Sequence, residues 1–230
     1  MRREVQGWRF YRTRDVGIFP YMPSVEVYRD GMLPYLYTKL KEENKVELCF
    51  CGEKKTQDDF TAYFHRIKTM QVLAEIGELV DPEKPDGERK LIPVGFSWID
   101  SPVGIDGARC AMPGEAFFDN ASKRSSARDL ARLALAYSFN DLRIDYFHGI
   151  QLASNIAARN FSMKMGFKEV SLVPKRLYNQ ATGKLEDARV MMLAAEDFLP
   201  SFWDWKAEQD AIASQVSLAN SPKYNSAAAQ

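Results

Sequence analysis

The segment SNIAARNFSMKMGF, residues 154–167, carries the most specific structural pattern in the sequence. It begins with Ser154 and Asn155, which are residue types that cap helix N-termini, and it ends near Gly166, a common helix terminator. The apolar run KEVSLV follows directly, and such a run is typical of a strand. The segment therefore predicts a short helix that turns at Gly-Phe into a strand beginning at residue 168.

The rest of the chain predicts an alternation of helices and strands. Helices are predicted at 32–43, 56–68 and 126–140, and strands at 46–51, 70–77, 91–99, 109–112, 115–118, 143–151, 168–173 and 188–194. Thr56 is suited to cap the second helix, and Pro113-Gly114 predicts a bulge or bend between two pieces of strand. This order predicts an α/β (α+β) layer fold with a mixed sheet.

Composition favours one soluble domain with a tail. The chain has 230 residues and 46% apolar content, and its 31 basic and 31 acidic side chains balance. This balance argues against binding to nucleic acid or to an anionic membrane, and no segment approaches the ~20 apolar residues of a membrane span. Cys49, Cys51 and Cys110 form an odd set, with the first two pointing the same way from a strand. Idle thiols in a reducing, cytoplasmic compartment are expected, with a metal or redox role as the alternative.

Two polar segments interrupt the pattern. Residues 79–90 combine prolines, a glycine and charges, which predicts an exposed hairpin loop. Residues after about 214 are small and polar, which predicts a disordered tail or a segment that orders on a partner. The aromatic run FLPSFWDWK at 198–206 would dock on the rim of the sheet or form a partner surface, for example in a homodimer. We therefore predict a domain over 1–198, with 199–230 as an aromatic segment and flexible tail.

Three segments in the right order resemble the GNAT superfamily of N-acetyltransferases, over roughly residues 45–194. Residues 111–139, AMPGEAFFDNASKRSSARDLARLALAYSF, resemble the family's strand, phosphate-binding loop and helix, and GKLEDARVMML at 183–193 is similar to its final strand. Residues 154–167 resemble the family's signature N-x-x-A-x-x-x-Y-x-K-x-G-F. Its matching positions are Asn155, Ala158, Lys164, Gly166 and Phe167. The chain is thus identified as a divergent member with a GNAT-like, mostly antiparallel central sheet flanked by helices.

Two departures from the family pattern bear on activity. The family's loop usually reads Q/R-x-x-G-x-G/A, and Ser125 stands at its first glycine. Serine tolerates the turn and can cap the following helix. Ser162 stands where many members carry the tyrosine that protonates the departing thiolate, and a serine has a shorter reach and a much higher pKa than a phenol.

The resemblance implies acetyl-CoA as co-substrate, with no metal. Its pantetheine arm would lie along residues 116–118, with the thioester carbonyl accepting a hydrogen bond from a strand amide near Phe117 or Phe118. Its pyrophosphate would lie at the N-terminus of the 126–140 helix. The residues implied in cofactor binding are Phe117, Phe118, Lys123, Arg124, Ser125, Ser126, Ala127, Arg128 and Asn155.

The implied reaction is direct attack of an amine on acetyl-CoA in a ternary complex. The base would be a carboxylate or an ordered water near the thioester. Glu115 is the first candidate carboxylate and Asp100 the second, and for each the alternative is a solvated carboxylate at a strand end. Ser162 occupies the acid's place. His148 is either a base or an ordinary histidine of the core or sheet edge. Tyr137 and Tyr146 could replace the missing phenol if they point into the cleft, although Tyr137 fits the core better.

The acceptor would be a small-molecule or peptide amine. Helices 32–43 and 56–68 would form its side of the fold. Their aromatic residues, Tyr35, Tyr37, Phe60, Tyr63 and Phe64, either line a pocket or simply pack on the sheet. Because both departures fall in the site that the resemblance implies, the alternative function is a catalytically degenerate binding or structural module on the same fold, of a phage-associated kind.

Overall fold

The computed structural model describes residues 11–20, 31–50, 56–67, 69–79, 89–105, 107–119, 124–179 and 182–219. The strands are β1 (Val16–Pro20), β2 (Met70–Leu79), β3 (Arg89–Ile105), β4 (Ala108–Phe117), β5 (Tyr146–Leu152), β6 (Lys168–Asn179) and β7 (Lys184–Ala194). The helices are α1 (Leu33–Glu42), α2 (Val46–Phe50), α3 (Gln57–Ile67), α4 (Arg124–Asn140), α5 (Ile156–Lys164) and α6 (Ala195–Ala219).

The strands form one mixed sheet in the order β1-β2-β3-β4-β5-β7-β6. Neighbouring strands run antiparallel except β4 and β5, which are parallel because α4 forms the crossover between them. The predicted fold class is therefore confirmed. None of the helices within the described ranges is both long enough and apolar enough to cross a membrane.

Helices cover the sheet on two faces, each with its own hydrophobic cluster. We call the face packed against α1, α2 and α3 the front face, and it carries the side chains of Phe96, Trp98 and Phe118. The back face carries those of Leu73 and Phe147 and packs against α4 and α6, with α5 at its margin. Successive residues of a strand point to opposite faces, so a residue's position in its strand determines which cluster it joins.

Residues 154–167 form the structure predicted for them. Asn155 caps α5, because its Oδ1 atom accepts a hydrogen bond from the Ala158 amide at 3.0 Å. Gly166 has a φ of 94°, a conformation that favours glycine, and the Phe167 amide donates to the Ser162 carbonyl at 3.0 Å. The chain thus reverses at Gly-Phe and enters β6.

The strand predicted at 46–51 is wrong, because residues 46–50 form the short helix α2. Short apolar runs do not distinguish a strand from a buried helix, and tertiary packing decides between them here. Phe50 is buried against four rings of the front face, with centroid distances of 5.2 Å to Trp98, 5.6 Å to Phe60 and 6.1 Å to both Tyr63 and Phe64. Cys49 consequently lies on a helix, and Cys51 lies outside the described residues.

The bulge predicted at Pro113-Gly114 is also wrong. β4 continues through both residues in constant register with β3, and the irregularity in this pair lies between Asp100 and Val103. Gly114 keeps the strand regular, because a Cβ atom there would lie 2.1 Å from Cε2 of Trp98. The missing side chain makes room for the indole ring on the front face.

The aromatic segment docks on the core, which is one of its two predicted alternatives. α6 crosses the predicted boundary between residues 198 and 199 and continues past residue 214. Phe198, Leu199, Phe202 and Trp203 of α6 are buried in the back-face cluster. The loop residues 80–88 and the last residues, 220–230, lie outside the described part of the chain.

We predict that Gly114→Ala lowers the free energy of unfolding by about 2–3 kcal/mol, because the new methyl group must displace the Trp98 ring. Gly149→Ala in β5 is the matched control. Nothing lies within 4 Å of its added Cβ, so its stability should stay within about 1 kcal/mol of the wild type. Denaturant unfolding of both variants measures the difference, and equal effects would contradict the packing argument.

Candidate functional site

The two parallel strands at the centre of the sheet separate soon after they meet. β4 and β5 pair only through Cys110 with Tyr146 and Ala111 with Phe147. Beyond these pairs, β4 continues along β3 to Phe117, while β5 continues along β7. We call the space between the diverging strands the β4–β5 gap.

Backbone hydrogen bonds show which groups of β4 face this gap. The Phe118 amide, just after the strand, donates to the Val94 carbonyl of β3 at 2.8 Å. The Arg109 carbonyl at the other end accepts from the Asp145 amide, on the β5 side, at 2.8 Å. Because backbone groups alternate in direction along a strand, even-numbered residues bond β3 and odd-numbered residues face β5.

Pro113 explains why the parallel ladder ends. It is the next odd-numbered position after Ala111, and proline has no N–H to donate to a neighbouring strand. The amides of Glu115 and Phe117 then point into the β4–β5 gap instead of into a ladder. The gap is therefore lined by backbone donors that a bound chain could use.

The same pattern separates two predicted cofactor contacts. The Phe118 amide is already bonded to Val94, and the Phe118 side chain is buried in the front-face cluster. The Phe117 amide points into the gap, and its ring contacts the Phe161 ring of α5 at 6.1 Å between centroids. Of the two amides predicted to contact the thioester carbonyl, the Phe117 amide is therefore the one that points into the β4–β5 gap.

Two helix N-termini lie at the edge where the gap opens. α4 begins after the carboxyl end of β4 and α5 after that of β5, and parallel strands end at the same edge of a sheet. Ser126, Ala127 and Arg128 lie in the first turns of α4, with Arg128 exposed. Lys123 lies outside the described residues, and the side chains of Arg124 and Ser125 are not described. Free amides and helix dipoles at such an edge favour an anion.

Glu115 lies on the back face, directly opposite Ser97 of β3, and its side chain is partly buried. Burial raises the pKa of this carboxyl from 4.5 to about 7. Within the described residues it forms no hydrogen bond or ion pair. A carboxyl that titrates near neutrality can take up and release a proton at physiological pH.

Ser162 lies on the same side of the sheet as Glu115. It follows Phe161 in α5, and Phe161 contacts Phe117 of β4 on the back face. The Ser162 carbonyl accepts from the amides that close the helix, and the side chain is partly buried. Asn155 is at the beginning of the same helix, where its side-chain oxygen serves as the cap.

Asp100 lies on the other face. The Tyr63 hydroxyl of α3 donates to Asp100 Oδ2 at 2.8 Å, and burial together with this carboxylate raises the pKa of Tyr63. Of the two predicted carboxylates, only Glu115 is therefore on the α5 side. Phe147 points to the back face, so the side chains of its neighbours Tyr146 and His148 point to the opposite face.

Most of the predicted acceptor-side aromatics pack instead of lining a pocket. Phe60, Phe64 and Tyr37 are buried in the front-face cluster. Tyr35 is 37% exposed and meets the Phe118 ring edge-on at 6.5 Å. Tyr137 packs edge-on against Tyr11 at 5.3 Å, as a core residue would.

Lys45 is a site residue that sequence reasoning missed. Its Nζ atom donates to the Phe117 carbonyl at 2.9 Å, to Asp119 Oδ1 at 2.6 Å and to Glu43 Oε2 at 2.7 Å. Asn44 precedes it with a φ of 54°, which turns the chain after α1 and directs Lys45 toward β4. The only sequence signal was an asparagine after a helix, and nothing in it indicated the distant carbonyl.

Comparison with known structures identifies the fold. No family model and no curated protein matches the sequence. The structure matches a GNAT-family acetyltransferase from Bacillus anthracis (TM-score 0.58, 13% identity, 80% of this chain and 98% of that one). It also matches spermidine N-acetyltransferase from Vibrio cholerae in complex with CoA and spermine (0.59, 15%, 80% and 98%) and a GCN5-related N-acetyltransferase from Brucella melitensis (0.56, 14%, 85% and 84%). The chain therefore has the fold of the GNAT acetyltransferases, as its motifs predicted.

We predict that Glu115→Gln stabilises the protein at pH 8 but not at pH 4.5. The pKa of Glu115 is raised in the folded state, so the folded state loses stability as pH rises from 4.5 through 7. Removing the charge should raise the free energy of unfolding by up to about 3 kcal/mol above pH 8. Urea unfolding at both pH values measures this difference. Glu208→Gln on the exposed side of α6 is the control, and it should change stability equally at both pH values.

Proposed function

We propose that the protein is an acetyl-CoA-dependent N-acetyltransferase, acting by direct attack of an amine in a ternary complex. The observation that carries this proposal is the β4–β5 gap, where two strand amides that point away from β3 lie beside a carboxyl group whose pKa is raised to about 7. The fold that the chain shares with known acetyltransferases supports this activity.

The gap suits the pantetheine arm of CoA. The Glu115 amide would donate to a carbonyl group of this arm, as a neighbouring strand would, which leaves the Phe117 amide for the thioester. The N-terminus of α4 would hold the pyrophosphate through its free amides and dipole. Around it we place Phe117, Lys123, Arg124, Ser125, Ser126, Ala127, Arg128 and Asn155, and Phe118 supports the strand from the front face.

Bound acetyl-CoA supplies a thioester carbonyl as electrophile. The Phe117 amide would donate to its oxygen and stabilise the negative charge that develops during attack. The Glu115 carboxylate would take one proton from the acceptor ammonium, so that the amine lone pair becomes free to attack. The nitrogen would release its second proton to solvent as the C–S bond breaks and the amide forms. We assign this step to Glu115 because Asp100 lies on the other face and bonds Tyr63.

The departing thiolate needs a proton after the C–S bond breaks. Ser162 occupies the position of the usual acid, but a serine hydroxyl is far too weak an acid to replace a phenol directly. A thiolate has a conjugate-acid pKa of about 8.5 and can take its proton from water. We therefore propose solvent as the proton source, with Ser162 lining the route.

A degenerate binding module remains the second candidate, and Lys45 favours it. The Phe117 carbonyl is on the gap side of β4, where it would accept from a pantetheine amide, but Lys45 already donates to it. A protein that had lost CoA binding could keep such an internal contact.

If the protein is an acetyltransferase, its proposed partners are an amine acceptor and a second copy of the chain.

We predict that Glu115→Gln keeps the wild-type affinity for acetyl-CoA within about threefold and lowers kcat/KM by ~10²–10⁴-fold, the usual contribution of a general base. The wild-type rate should rise with pH through about 7, because ionised Glu115 is the active form. Calorimetry measures binding, and thiol release with a panel of amines that includes spermine measures turnover.

Asp100→Asn is the matched control, since it removes a carboxylate from the same sheet on the opposite face. It should leave kcat/KM within about threefold of the wild type, a change too small for loss of a base. A well-folded protein that does not bind acetyl-CoA would exclude the acetyltransferase. Binding without thiol release for any amine would favour the module.

A further inference from the structure

A row of polar side chains crosses three strands of the back face. Gln71 of β2 pairs with Ser97 of β3, and Ser97 pairs with Glu115 of β4. Directly opposite residues point to the same face, with Cβ atoms about 4.5–5.5 Å apart. The proposed base is therefore the third member of a continuous row.

The first two members are buried and bonded to each other. Gln71 is 2% exposed and Ser97 is 4% exposed, in a face that otherwise carries apolar side chains such as Leu73 and Ile99. The Ser97 hydroxyl donates to Gln71 Oε1 at 2.5 Å. Buried polar side chains are costly unless they are paired, so this pair fixes the direction of the hydroxyl.

That direction determines what Ser97 can offer to Glu115. A serine hydroxyl has one proton and two lone pairs. Because the proton is used by Gln71, only lone pairs remain for the next member of the row. A neutral carboxyl group can donate to a lone pair, whereas a carboxylate needs a donor and finds none on Ser97.

The strand pairing brings Ser97 and Glu115 close. The Phe118 amide bonds the Val94 carbonyl, and bonded pairs alternate with unbonded ones along an antiparallel ladder. Ser97 and Glu115 form an unbonded pair, the type in which side chains approach most closely.

Charged groups on the neighbouring elements act elsewhere. On α4, Asp129 is influenced by Arg128 and Arg132, and Tyr137 by Asp141. On α5, Arg159 bonds Glu169. Burial accounts for the raised pKa of Glu115, and no charged group among the described residues contributes to it. The polar side chains that β2 and β3 offer to Glu115 are those of the Gln71–Ser97 pair.

We propose that Gln71 and Ser97 are positioning residues for Glu115. Gln71 engages the Ser97 proton, so that Ser97 can only accept from Glu115 and the site keeps Glu115 as the neutral acid until the pH rises. The catalytic consequence rests on the proposed function, in which Glu115 is the base. The effect on protonation does not depend on it.

Direct titration of Glu115 tests the row without any turnover. Carbon-13-labelled glutamate gives a carboxyl NMR signal for Glu115, which Glu115→Gln assigns by its disappearance. In Gln71→Met the Ser97 hydroxyl is free to turn and donate to the carboxylate, so the pKa of Glu115 should fall by about one unit or more. Gln71→Leu, of similar volume, replaces this variant if it does not fold.

The effect of Gln71 must pass through Ser97. In a Ser97→Ala background, Gln71→Met should shift the Glu115 titration by less than about 0.3 unit, as expected when the coupling partner is gone. Ser97→Thr keeps a hydroxyl and should titrate like the wild type. Ser138→Ala is the control, because this buried hydroxyl donates to the Ala134 carbonyl at 2.8 Å and is not part of the row.

An unchanged or raised pKa of Glu115 in folded Gln71→Met or Gln71→Leu would overturn the proposal, and so would the same shift in the Ser97→Ala background. If the protein turns over amines, the acidic limb of kcat/KM should move with the NMR titration while kcat at high pH stays constant. The predicted shifts in a protein without turnover would support the row and overturn the acetyltransferase.

Discussion

Between β4 and β5, the hydrogen-bond ladder stops at a residue that has no proton to donate. Pro113 ends the pairing after two residue pairs, and the later amides of β4 consequently face a gap. On its other edge the same strand stays in register with β3, because Gly114 leaves room for Trp98. One adjacent Pro-Gly pair thus opens one edge of β4 and keeps the other closed, and both the site and the packing of the front face depend on it.

The elements that the sequence predicted best carry their own local signals. The helices with recognisable caps, at Thr56 and Asn155, begin where those residues indicate. The β2–β3 hairpin was found because apolar runs flank a charged segment that contains prolines, and β6 was found because the apolar run KEVSLV follows Gly-Phe. The errors came where the deciding contacts are distant: α2 is helical because Phe50 packs on a ring cluster, and β1 was missed because a five-residue strand is specified by pairing with β2.

The candidate site shows the same limit at the level of side chains. Motif order placed Glu115, Phe117 and α5 in one region, and the sheet brings them to one face. Asp100 would join them only if its side chain pointed to the same face of the sheet. Alternation along the strands could not predict this, because a bulge was expected at Pro113-Gly114 and a bulge reverses the faces of the residues beyond it. Ser97 lies 26 positions from Gln71 and Lys45 lies 72 positions from Phe117, so no local sequence pattern predicted these contacts.

Lys45 also has a consequence for the chemical behaviour of the protein itself. A lysine beside an activated thioester is a potential nucleophile, and an unprotonated amine there would be acylated in place of the acceptor. Partial burial would lower the pKa of Lys45, but Asp119 and Glu43 outweigh it and raise the pKa. Its lone pair is therefore occupied by a proton, and its three N–H groups each have an acceptor. Under the proposed function, the contact that fastens α1 to the end of β4 would also keep the Lys45 amine protonated, and thus unreactive toward a thioester bound in the β4–β5 gap.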